Sequence, residues 1–297
     1  MKVIQPVNIT SGMVTSSSAT ETVALWSSTT TYSQDQIVRY GDFIYVSLQN
    51  SNLNKQPDTN PIWWIRYGPS NRWAMFDTSN STKTVATSPL TVTVNFTNTI
   101  INSLAFFGLS GTSLRVKIVD TQTSNTVIDQ TYSLNDTIIV DWYTYFFKPY
   151  DFREDLLVLN IPPYGNTEVT VTLSGGSANV EIGTMIAGNL IILGGTQYGV
   201  NVGIKDYSVK ETNDFGDITF VRRTYSKRMS ASVFVYNSDL RYVHKVLTDL
   251  RAVPAVWIGS EDSQYEPAVL YGFYKDFSTE ISYPDASIMN IELEGLT

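Results

Sequence analysis

The sequence predicts a mainly β protein, and three observations carry that expectation. Thr, Ser, Asn, Val, Ile and Tyr crowd the chain, a composition suited to pleated, half-buried surfaces. Many short stretches alternate apolar and polar residues, as in "LTVTVNF" and "EVTVTL", with Gly, Asn, Asp and Pro between them. Only one stretch carries a helical period. Charged residues make up 16% of the 297 residues, against about 25% in an average soluble protein. At roughly 100–200 residues per domain, the length suits two or three units.

Residues 1–25 are polar, with Pro6, Gly12 and the serines Ser16, Ser17 and Ser18, and they keep neither a period of 2 nor one of 3.6. They read as an extended N-terminal arm. Residues 26–77 hold four of the six tryptophans. Short apolar alternations there (Ile37, Val38; Phe43, Tyr45) are broken by Gly41-Asp42 and Pro57-Asp58, the pattern of a small three-stranded module.

Residues 78–203 carry "LTVTVNF", "INSLAFFGL", "SLRVKIVD", "DLLVLNI", "EVTVTL" and "NVEIGTMIAG", a series that argues for a β-sandwich or jelly roll. The aromatic stretch "DWYTYFFKPYDF" inside it is expected to pack on a neighbouring sheet or a partner subunit. Residues 204–297 form the last unit, α+β in type. Its helix is expected over 238–251, with Ser238 as cap, Asp239 at the positive end of the dipole, and Leu240, Val243, Leu247 and Leu250 on one face. The decapeptide "GPSNRWAMFD" (68–77) reads as a strap between module and sandwich, in which Trp73, Met75 and Phe76 are expected to be buried while Asp77 turns the chain.

A formal net charge of −8 and a pI near 4.7 disfavour attraction of the whole molecule to nucleic acid or an anionic membrane. There is no cysteine, which removes disulfides, thiolate nucleophiles and sulfur metal sites. "MKVIQPVNITSGM" lacks the apolar core of a signal peptide, and no run approaches the 18 or so apolar residues of a membrane span.

The search for chemistry yields no catalytic, metal or cofactor site. The one histidine, His244, sits inside the expected helix with no triad or zinc partner nearby in sequence. "GGTQYGVNVG" lacks the Lys-Ser/Thr of a phosphate loop and the spacing of a dinucleotide fingerprint. "ETNDFGD" is rich in oxygen ligands but lacks calcium-loop spacing, so it reads as a hairpin turn. The carboxylates of "REDL" and "SEDSQYE" leave a glycan-cleaving pair open without supporting it. Two sets of site residues remain. Trp26, Tyr32, Tyr45, Trp63, Trp64 and Trp73 are candidate platforms for sugar rings, or else the core of a module poor in aliphatic residues. Arg222, Arg223, Lys227 and Arg228 in "RRTYSKR" are candidates for inter-subunit contact. On an extended strand Arg222, Thr224, Ser226 and Arg228 share one face, and Arg223, Tyr225 and Lys227 the other.

Residues 26–68, with Trp26, "TTTYSQDQIVRYGDFIYVSLQ", Pro57 and Trp64, resemble the small carbohydrate-binding modules of chitinases and cellulases. Gln34 stands where their pattern has glycine, and "VSLQN" after Tyr45 lacks their exposed aromatic pair. Over nearly the whole chain, "GPSNRWAMFD", "DWYTYFFKP", "GGTQYG", "RRTYSKRMSA", "LRAVPAVWIG", "YGFYKDFSTEISYP" and "IELEGL" look like a family of bacteriophage virion proteins. That resemblance implies a galactose-binding-like jelly roll in the middle and a tail-tube or distal-tail-like C-terminal unit. It further implies a non-enzymatic tail-tip or baseplate component, made in the host cytoplasm and carried in the virion tail. Its partners would be other phage tail proteins, a homo-oligomeric ring and host surface glycans. The rival readings are a glycan-cleaving virion enzyme and a secreted bacterial carbohydrate-binding protein.

Overall fold

A computed structural model describes residues 1–297 except 80, 138, 150, 177, 178, 213–215 and 297, and the backbone alone at 263, 264 and 266. The chain is mainly β, as expected. It divides into two compact units, one of Met1–Val7 with Ala187–Thr297 and the other of Asn8–Ile186.

The first unit is built on an antiparallel sheet. Lys2–Pro6 pairs on one side with Thr184–Ile192, from Lys2 opposite Ile192 to Pro6 opposite Gly188, and on the other with Ala255–Ile258. The sheet continues through Val269–Glu280 and Ala286–Gly295 to Tyr225–Tyr236, onto which Gly195–Thr196 and Asn201–Asp206 add. Residues 2–6 are therefore an interior strand and not the start of a free arm. Val3 and Ile4 are wholly buried because an interior strand is covered on both faces, and two apolar residues suffice to seat it. Pro6 closes this strand, where its missing N–H costs no ladder bond at the end of the pairing. At Gly188 the backbones approach so closely that a Cβ would collide with the carbonyl oxygen of Gln5.

Helix α1 (Trp142–Phe147) belongs to the second unit. Helix α2 (Leu240–Asp249) belongs to the first and buries Val243, Val246 and Leu247. The buried core there joins these to Leu250, Trp257, Met229, Val233, Met289 and Ile291, with Leu240 packed against it. The helix starts two residues later than the sequence suggests. Asp239 stands at the N-cap without a side-chain cap bond, and the Ser238 hydroxyl bonds Asp239 Oδ1 instead.

In the second unit five antiparallel strands run in the order Thr126–Ser133, Ser113–Asp120, Thr167–Ser174, Leu90–Phe96, Val14–Ser17. One face is the core: Leu90, Val92, Val94, Phe96, Leu114, Val116, Ile118, Val169, Val171 and Leu173 are all at most 1% exposed. The other face carries Thr91, Thr93, Thr170 and Thr172, whose hydroxyls pair across strands at 3.3–3.4 Å. Ser103–Phe107, paired with Leu156–Val158, is buried along its whole length.

Two stretches depart from expectation. The strap 68–77 buries Ala74 and Met75 but leaves Trp73 and Phe76 half-buried, their rings tilted against each other with centres 5.2 Å apart. Its anchoring is polar instead: the Asn71 and Arg72 N–H groups donate to Glu21, Asn71 Nδ2 donates to Thr20 O and Val85 O, and the Met75 N–H donates to Thr84 Oγ1 at 2.9 Å. Asp77 turns the chain by accepting from Ser79 N and Thr82 Oγ1. The aromatic stretch forms α1 over Trp142–Phe147, capped by Asp141, and the helix buries none of its residues. Trp142 is 80% exposed, and Tyr143, Tyr145, Phe146 and Phe147 are exposed with it.

Candidate functional site

The small module is a three-stranded antiparallel sheet, Ile37–Tyr40, Phe43–Ser47 and Trp64–Pro69, with Thr31–Tyr32 paired to Asn52–Leu53 beside it. Gly41, at φ +59°, makes the tight turn between the first two strands. Of the expected sugar-binding aromatics, Tyr32, Tyr45 and Trp64 form the module's core with Val38, while Trp26 and Trp63 pack against it, half-buried. Tyr32 and Trp64 meet edge to face at 5.3 Å, and Trp26 meets Tyr40 at 5.6 Å. The Trp64 indole N–H donates to Lys55 O at 2.7 Å. Burial pushes the Tyr45 hydroxyl pKa up. These rings hold a module that has few aliphatic residues to bury.

Two of the outward aromatic rings are faced by cations, while Tyr67 stands 74% exposed. Lys55 Nζ lies 5.7 Å from the Trp63 ring centre, and the Arg66 guanidinium stacks 3.3 Å from that of Phe43. A sugar ring would have to displace these cations. The module's exposed cross-strand row is Ile37, Val46 and Ile65, with Ile37 and Ile65 about half exposed. Branched aliphatic side chains offer no flat platform to a pyranose, and a row of them suits contact with protein.

In the first unit the four expected contact cations separate. Arg222 and Arg223 lie in an exposed connection ahead of the strand Tyr225–Tyr236. Lys227 and Arg228 lie within it, Arg228 directly opposite Glu294. The expected two-face alternation starts only at Tyr225, and Ser226 turns inward, fully buried. Lys205 Nζ pairs with Glu294 at 2.9 Å, and Tyr207 Oη also donates to Glu294. The Lys205 hydrogen bond holds the Glu294 carboxyl below its usual pKa. Asp206 is held low first by its bonds to Ser208, with a smaller contribution from Arg222.

The described residues of 201–221 have strand pairing but almost no buried side. Val202, Ile204, Ile218, Phe220 and Val221 are all exposed, Phe220 at 72%. Sequence reading missed an acidic feature beside it. Asp276 and Glu292 are opposite each other on neighbouring strands, both exposed, at one end of a hollow of about 290 Å³ that Ser230, Ser232, Ser278 and Asn290 also line. The alternation in "NIELEG" already put Glu292 on the outer face, but the bulge at Lys275 that aligns Asp276 with it has no sequence signal.

His244 is exposed on α2, edge-on to Phe277 at 5.6 Å. Glu261 pairs with Lys2, and Arg153 with Asp136. Residues 213–215 of "ETNDFGD" lie outside the described residues. Among the described residues no group of three or more His, Cys, Asp and Glu is placed to hold a metal, and no helix is long and apolar enough to cross a membrane.

No family model and no curated protein matches the chain. Among solved structures, the chain is similar to a chitosan-binding module derived from a chitosanase/glucanase of Paenibacillus sp., at 13% identity over 38% of this chain and 81% of that one, with a TM-score of 0.26. A TM-score this low assigns neither fold nor ligand.

Proposed function

We propose that this chain is a non-enzymatic structural component of a tailed-bacteriophage virion, at the tail tip or baseplate, joined there by copies of itself in a ring and by other tail proteins. One observation carries the assembly part of the reading: the described strands of 201–221 each pair with a single neighbour and leave Val202, Ile204, Ile218, Phe220 and Val221 in solvent. Val202 and Ile204 share one face of their strand and Ile218 and Phe220 one face of theirs, and exposed apolar rows of this kind suit a surface that another protein covers. The phage part rests on the sequence resemblance. Host glycan contact gains no support from the five expected aromatics of the small module, which form its core or pack half-buried against it, Trp63 with a cation over its ring. The reading places the chain in the particle after synthesis in the host cytoplasm. Quantitative mass spectrometry of purified particles tests it: a fixed copy number per particle is expected, and a chain left behind in the lysate overturns the reading.

A further inference from the structure

We propose that the hollow at Asp276 and Glu292 receives the Arg222-Arg223 segment of a second copy of this chain, making a head-to-tail contact. The inference rests on the assembly reading above and names its partner.

Four observations converge. First, two carboxylates directly opposite on adjacent strands repel, and among the described residues neither the Asp276 nor the Glu292 carboxylate makes an ion pair or hydrogen bond. An arrangement that destabilises the free chain is relieved by a cation from outside. Second, the hollow between them and Ser230, Ser278 and Asn290 holds about 290 Å³. That is at the small end for a ligand pocket and suits one long side chain whose guanidinium meets carboxylates and hydroxyls together.

Third, Arg222 and Arg223 are exposed in a chain of net charge −8, and neither guanidinium is hydrogen-bonded or ion-paired among the described residues. The flanking Phe220, Val221 and Tyr225 are exposed as well, so cations and apolar area arrive together. Fourth, the two features cannot meet within one chain. Ser230 stands in the cross-strand row of Glu292 and Asp276, and Tyr225 opens the same strand next to the arginines. Five residues of strand separate them, about 17 Å at ~3.4 Å per residue, beyond the reach of a side chain. Donor and acceptor surfaces that differ and sit apart on one molecule permit a heterologous contact, which closes into a ring or runs on as a filament, and the ring of the assembly reading selects it over a two-fold pairing.

The test uses two variants of the full chain. One is Arg222→Glu with Arg223→Glu; the other is Asp276→Lys with Glu292→Lys. Sedimentation velocity at low salt is expected to show self-association of the unaltered chain, weakened about tenfold or more in each variant alone. An equimolar mixture of the two is expected to regain it, because each then offers what the other lacks. Circular dichroism establishes that both variants fold, and Arg223→Gln with Asp276→Asn serve as milder substitutes if either does not. The proposal is overturned if either variant associates like the unaltered chain, if the mixture regains nothing, or if the unaltered chain stays monomeric. A monomeric chain that is still incorporated into particles removes this contact alone, whereas absence from particles removes the assembly reading.

Discussion

The indole Nε1 of Trp64 donates to the carbonyl oxygen of Lys55 at 2.7 Å, with the ring only 2% exposed. A tryptophan whose polar edge is tied to backbone and whose faces are packed is a structural pin. Trp64→Ala is expected to cost about 3–5 kcal/mol, the range for truncating a buried aromatic. Trp64→Phe should cost less, since it removes the hydrogen bond, worth about 1 kcal/mol, and part of the ring. Thermal unfolding followed by tryptophan fluorescence measures both. In the same chain, titration with chitin oligosaccharides should give no measurable heat. Binding at millimolar strength or tighter would show that another surface of the module takes sugar.

The strap gives a prediction that reverses the sequence expectation. Met75 is fully buried and Trp73 half-buried, so Met75→Ala is expected to cost about 2–5 kcal/mol and Trp73→Ala less. Equal losses in urea unfolding would show that Trp73 carries packing the fold does not display.

Gly188 faces Pro6 in the pairing of Lys2–Pro6 with Thr184–Ile192, and an added Cβ meets backbone rather than a side chain that can yield. Gly188→Ala is therefore expected to loosen the strand Lys2–Pro6. Hydrogen exchange should show the amides of residues 2–5 losing protection before those of α2. Unchanged exchange would mean that the two strands separate at no cost.

The Lys205–Glu294–Tyr207 link sets a pH dependence. The Glu294 carboxyl is held below its ordinary 4.5, first by its hydrogen bond from Lys205. A folded pKa below the unfolded one gives stability that is present above the unfolded value and lost as pH falls through the folded value. The gap in urea midpoint between the parent chain and Glu294→Gln should thus be widest near neutral pH and shrink below about pH 4.5. A gap independent of pH would show that the carboxylate's charge is not what binds Lys205.

Much of this fold was legible in the sequence because its signals are local. The 3–4–3 spacing of Leu240, Val243, Leu247 and Leu250 placed α2, and the alternation in "LTVTVNF" and "EVTVTL" placed two strands whose inner residues are buried. What was not legible depends on distant partners. Lys2–Pro6 has too few residues to show a period, and it is a strand only because Gly188–Ile192 and Ala255–Ile258 flank it. Composition marked Tyr32, Tyr45 and Trp64 as aromatic but not as inward-facing. Asp276 faces Glu292 through a bulge that pairing alone reveals.

The central claim is that the exposed strands of 201–221 are an assembly surface, and hydroxyl-radical footprinting of the free chain against the assembled particle tests it most directly. The account predicts that Phe220, Tyr225 and Ile204 of the first unit, exposed in the free chain, lose most of their oxidation on assembly while Tyr164 of the second unit keeps its own. Equal oxidation of Phe220 and Tyr225 in the two states would contradict it.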